Sequence, residues 1–111
     1  MNKDPTVFLK HIVQCIRNIE EDTKHFSKEK FIASRTIQDA VIRNIEVIGE
    51  AVKYIPSEFK KRYGEIPWVD ISGMRDKLIH GYFGIDLNIV WDVIIKDLSL
   101  LKKQILEILE E

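Results

Sequence analysis

The chain has 111 residues, 45% of them apolar and 32% charged, a balance that fits one buried core and excludes a disordered segment. With 17 basic and 18 acidic residues the net charge is −1, so no basic tail or stripe announces nucleic acid, and any such binding has to be local. Cys15 is the only cysteine, which excludes an intrachain disulfide, and His11, His25 and His80 share no short ligand spacing, so neither a metal nor a cofactor is expected.

Asp4-Pro5 reads as an N-cap followed by proline at the first helical position. Phe8, Leu9, Ile12, Val13, Ile16 and Ile19 then keep the helical period to about Glu21. Cys15 sits in this helix as a small buried or half-buried hydrophobe. A second helix is expected from Ser27 or Lys28 to Ile55, where Pro56 stops it. Its apolar stripe is Ile37, Val41, Ile45, Ile48 and Val52. Asp39, Arg43, Glu46 and Glu50 make a charged stripe on another face. Spacing leaves that stripe open between a solvated, ion-paired face and a polar patch at a subunit contact.

Ser57, Glu58 and Phe59 start a short helix that ends near Tyr63-Gly64. After Ile66-Pro67 another helix begins at Trp68 or Val69, runs through the next dozen residues and frays at Gly81. Asp86 caps a last helix that carries Ile89, Val90, Ile94, Leu98, Leu101, Ile105 and Leu109. No signal-like apolar run opens the sequence and no stretch is long enough to cross a bilayer, so the expected setting is the cytoplasm without membrane contact. The expected architecture is all-α, a single domain over residues 1–111 with four to five helices in one up-down bundle.

One segment carries chemistry. With Arg75 at zero on a wheel advancing about 100° per residue, Asp76 falls at about 100° and His80 at about 140°, neighbours at four-residue spacing. Ser72 shares their polar edge, Ile71, Met74 and Leu78 face the opposite side, and Tyr82 returns near the angle of Arg75. A guanidinium can hold a phosphate by two hydrogen bonds and stabilise charge that builds on it. An imidazole exchanges protons near neutral pH, and Asp76 is placed to hold the His80 ring in one tautomer. Together these groups suit metal-free cleavage of an RNA phosphodiester by the adjacent 2′-hydroxyl. In-line displacement benefits from both an acid and a base, so two copies related by a two-fold axis would complete the set. On spacing alone, the better explanation of a histidine near a helix C-terminus is a favourable charge at the helix dipole, since Arg, His and Tyr at these spacings also occur by chance in unrelated helices.

Arg75-x-x-x-x-His80-x-Tyr82 resembles the motif of HepT-like toxins in the HEPN superfamily. The likeness extends to Arg43 through Ala51, Ile66-Pro67-Trp68, Gly73-Met74-Arg75, Tyr82 through Asp86, and Val90-Trp91, in family order. The resemblance implies a HEPN-type helical bundle that forms a homodimer, with two motifs meeting at one interfacial cleft. It implies the toxin of a type VII toxin–antitoxin pair, a metal-independent endoribonuclease with tRNA as the expected substrate. By position, Arg75 and His80 are then catalytic, Asp76 supports them, and Tyr82 is the residue that an MntA-like nucleotidyltransferase antitoxin modifies with AMP. Many members carry Asn after the motif Arg where this chain has Asp76, which either orients His80 or neutralises Arg75. Arg43, Glu46 and Glu50 fall in a matched stretch, so a place at the dimer interface or behind the cleft stands beside the solvated face. Trp68 and Trp91 are expected as core or interface anchors. The alternative reading is a non-catalytic, nucleotide- or substrate-holding subunit of a two-chain minimal nucleotidyltransferase.

Overall fold

Asp4 caps the first helix as its position foretells: its carboxylate accepts the Thr6 amide N–H at 2.9 Å, and Pro5 occupies the first turn. The computed structural model describes residues 4–74, 76 and 86–111. Helix α1 spans Pro5–Thr23 and buries Leu9, Ile12, Val13, Cys15, Ile16 and Ile19, the stripe that the period marks out. Thr23 is buried at its end, where the hydroxyl donates to the Ile19 carbonyl at 2.8 Å.

The single long helix expected from Ser27 or Lys28 to Ile55 is two helices, α2 at Lys28–Ala33 and α3 at Arg35–Lys53. Ser34 separates them in an extended conformation, with φ −113° and ψ 98°. Its hydroxyl accepts the Ile37 N–H at 3.3 Å and so caps α3. Gln38 finishes the joint from the other side. Its amide donates to the Phe31 and Ile32 carbonyls at 2.9 and 2.8 Å at the end of α2, where the Phe31 carbonyl also accepts the Ser34 N–H at 3.2 Å. The apolar pattern runs smoothly across Ser34, which is why periodicity alone joined the two pieces.

Helix α4 (Ser57–Arg62) and helix α5 (Trp68–Ser72) follow, and α6 (Leu87–Asp92) begins at Asp86. The Asp86 carboxylate accepts the amides of Asn88 and Ile89 at 3.0 and 3.3 Å, the expected cap. A π-helical turn at Val93–Asp97 then joins α6 to α7 (Leu98–Leu109). There the Leu98 N–H donates to the Val93 carbonyl, five residues back. This wider turn has a packing reason. The buried positions are Val90, Val93, Ile94 and Leu98, and beyond them Leu101, Ile105 and Ile108 keep the ordinary period. In an unbroken α-helix residue 97 would come back to the face of residue 90, and here residue 97 is Asp97, which stays exposed.

Helix α1 lies against both α3 and α7, α3 carries α5 on a further face, and α2 packs on α3 and α6. Between them sit the fully buried side chains of Leu9, Ile12, Ile16, Ile19, Phe31, Ile45, Ile48, Leu98 and Ile105. Lys102 of α7 spans to Glu20 of α1 at 2.7 and 2.8 Å, and the Tyr63 hydroxyl donates to Glu111 at 2.8 Å. The protein is all-helical: the described residues form helices and their connections, with no strand among them.

Candidate active site

The approach to the Arg75–Tyr82 segment is built from α3, α4 and α5. Trp68 opens α5 and is buried, and its indole N–H donates to the carbonyls of Lys60 and Tyr63, each at 3.1 Å. Those carbonyls lie at the end of α4, so one side chain locks α4 and α5 together. On its other side α5 meets Gly49. A Cβ on Gly49 would lie 3.3 Å from the Ser72 carbonyl oxygen and 3.5 Å from that of Ile71, so the absent side chain is what lets α5 settle onto α3. Ile71 and Met74 turn into the core, each 6% exposed.

Ser72 departs from the expected polar edge. Helix α5 ends there, Gly73 follows as its cap, and the Ser72 hydroxyl donates back to the Val69 carbonyl at 3.0 Å. A wheel counted from Ser72 to Asp76 therefore crosses a helix end, and the two side chains do not share one uninterrupted face. Asp76 is helical and exposed. Arg75, His80 and Tyr82 lie outside the described residues, so of the expected site the structure places Asp76 alone. Downstream, Asp86 caps α6, and Trp91 of α6 is half-buried against Phe31 of α2, with ring centroids 5.4 Å apart. The described residues on either side of the motif segment are anchored, by Gly49 and Trp68 before and by Asp86 and Trp91 after.

Sequence spacing missed a groove of 580 Å³ on the open side of α3, lined by Phe8 and His11 of α1 and by Arg43, Glu46, Val47, Glu50, Lys53 and Tyr54. The charged stripe borders it, with Lys53 to Glu50 at 3.4 Å and Arg35 to Asp39 at 3.8 Å, both pairs widely exposed. Phe8 stacks on Tyr54 at 5.8 Å, a pairing between two helices that no single-helix pattern announces. Burial pushes the Cys15 thiol up from its ordinary pKa, as suits an inert core residue. Among the described residues, no group of three or more His, Cys, Asp or Glu side chains is arranged to hold a metal ion, and no helix is long and apolar enough to cross a membrane.

An all-helical chain that frames an Arg-x-x-x-x-His-x-Tyr segment in this way fits the ribonucleases of the HEPN class. The family model described as "Ribonuclease HepT-like" matches residues 12–108, and the chain belongs to that family. It is 43% identical to the protein named "Probable ribonuclease HepT" of Thermococcus cleftensis, over 92% of this chain and 93% of the relative. A protein of Caldanaerobacter subterraneus subsp. tengcongensis, provisionally named an RNase, is 43% identical over 98% of this chain and 97% of its own length. A Methanocaldococcus jannaschii protein, named a gamma-glutamylcyclotransferase and provisional RNase, is 50% identical over all of this chain. The chain spans half of that relative's length. No solved structure matches the chain significantly.

Proposed function

We propose that the protein is a metal-independent endoribonuclease that acts as the toxin of a toxin–antitoxin pair, with tRNA as its substrate. The observation that carries this reading is the family match over residues 12–108, which takes in the whole Arg75–Tyr82 segment, alongside relatives named as ribonucleases. Arg75 holds the scissile phosphate and stabilises the charge that grows on it as the ribose 2′-hydroxyl attacks phosphorus. His80 moves the proton, either from the attacking hydroxyl or to the leaving 5′-oxygen, and its counterpart on a second chain serves the other oxygen. The P–O5′ bond breaks, leaving a 2′,3′-cyclic phosphate and a free 5′-hydroxyl. Asp76 supports His80 by holding its ring and favouring the protonated form. Tyr82 is the control point. Transfer of AMP from ATP to its hydroxyl by an MntA-like partner adds phosphate charge and bulk beside the arginine that receives RNA. The protein works in the cytoplasm, as one domain in a homodimer.

The test is cleavage of tRNA by unmodified protein in the presence of a chelator. Arg75→Ala and His80→Ala should each lower the rate by roughly a hundredfold or more. Full cleavage by clean His80→Ala protein overturns the mechanism, and no cleavage by clean wild type overturns the enzymatic reading. Incubation with the nucleotidyltransferase and ATP should raise the intact mass by whole AMP units, and Tyr82→Phe should abolish that rise.

A further inference from the structure

We propose that the groove between α4 and α5 is a subsite for single-stranded RNA, with Lys60 and Lys61 on its phosphates and the open surface of Pro67 and Val69 under a base. The inference rests on the ribonuclease reading above and adds a place for the strand outside the motif.

A chain of net charge −1 has to gather its phosphate contacts locally. The groove beside α3 sets Arg43 and Lys53 against Glu46 and Glu50, so its charges offset one another. The groove between α4 and α5, of 360 Å³, has Lys60 and Lys61 on one wall and Asp70 as its single carboxylate. Asp70 already has an interaction of its own. Glu58 and Glu65, the other acids of this stretch, do not line the groove. Among the described residues, no carboxylate pairs with Lys60 or Lys61. Lys61 is exposed and Lys60 half-buried. The dipole of α4 accounts for a cation in its last turn, but Lys60, Lys61 and Arg62 follow one another and spread over about 200° of the helix. Arg62 is taken up by the ring of Tyr63, with its guanidinium carbon 5.4 Å from the centroid. The two lysines are the cations that line the groove.

The same groove presents apolar surface to solvent. Val69 is 83% exposed, and Pro67 beside it is exposed as well, with the buried Trp68 between them. Cations along one wall and apolar surface along the other suit a single strand: the backbone follows the charges, and the face of an unpaired base covers the side chains. A duplex keeps its base faces stacked inside and offers the groove only phosphates and sugars. The groove is also firmly built. The Trp68 indole donates to the Lys60 and Tyr63 carbonyls, each at 3.1 Å, which fixes the cationic wall to α5. The Val69 carbonyl accepts the Gly73 N–H and the Ser72 hydroxyl, both at 3.0 Å, which ties the apolar wall to the turn leading into Met74.

The test is an anisotropy titration with a labelled 2′-O-methyl single strand, which 2′-hydroxyl attack cannot cut, so binding is read apart from cleavage. Lys60→Gln and Lys61→Gln should each weaken binding roughly fivefold or more at low salt and lower the slope of log affinity against log salt by about 0.7, the share of one phosphate in a single strand. Lys60→Arg and Lys61→Arg should keep the wild-type slope. Val69→Ser should weaken binding at unchanged slope, since it removes apolar contact and no charge. Lys28→Gln, on α2, removes the same charge from outside the groove and should bind as wild type does. Circular dichroism should be unchanged throughout. A wild type that does not bind the strand, Lys60 and Lys61 variants that keep the full slope, an equal loss in Lys28→Gln, or equally tight binding of the matching duplex overturns the proposal. Displacement of the strand by poly-glutamate at equal charge would assign the patch to an acidic protein and overturn it too. Binding through these lysines by a wild type that cleaves no tRNA leaves the subsite standing and removes the ribonuclease reading. Cleavage of tRNA with kcat/KM untouched by both Lys→Gln variants does the reverse.

Discussion

Asp4, Ser34 and Asp86 each start a helix by accepting backbone amides, and each is the residue type that does this best. Ser34→Ala should cost about 1 kcal/mol in chemical denaturation, since the first turn of α3 then lacks its acceptor. At Asp4 the Thr6 amide and hydroxyl hold the carboxyl below its usual 3.8. The folded form thus prefers the ionised group, and its stabilisation is present above that value and is lost as the pH falls through the depressed pKa. Asp4→Ala should lower the melting temperature at pH 7, and by progressively less as the pH falls below the ordinary carboxylate value of 3.8. Asp76 invites a similar measurement on activity. If it favours protonated His80, Asp76→Asn moves the histidine limb of the pH–rate profile to lower pH. An unchanged limb with tighter RNA binding would assign Asp76 to Arg75 instead.

Among the elements, the caps at Asp4 and Asp86 and the apolar stripes of α1, α3 and α7 were readable because each obeys a local rule within one helix. The break at Ser34 was not, because the stripe continues through it and the deciding hydrogen bonds come from Gln38, seven and six residues beyond its acceptors. The π turn escaped for a related reason: a helix that inserts one residue still looks periodic on either side. Its consequence can be measured. Deleting Ile95, exposed within the turn, should let the segment close as ordinary α-helix with Leu98, Leu101 and Ile105 still facing inward. Deleting Lys103 from α7 rotates everything beyond it by about 100° and should be far more damaging to the melting temperature. Gly49 gives the converse case, a spacing set by an absent atom. Gly49→Val forces the Ser72 carbonyl outward, and a loss of about 1–3 kcal/mol is expected, with activity falling as α5 shifts.

For the molecule as a whole, the family was legible from the order and spacing of Arg75, His80 and Tyr82 together with the stretches around them, and residues 12–108 match its model; the three side chains themselves lie outside the described residues. The surroundings were not legible. The groove between α1 and α3 depends on Phe8 reaching Tyr54 across two helices.

The two tryptophans have a practical consequence. Trp68 is enclosed by α4 and α5 just before the motif, while Trp91 is half-buried beside Phe31 just after it. The protein therefore carries an intrinsic fluorophore on each flank, one shielded from solvent and emitting toward the blue, the other wetter and redder. With Trp68→Phe and Trp91→Phe in hand, the arrival of RNA, of an AMP group or of a second chain becomes visible as a spectral shift assigned to one side of the site, with no label added.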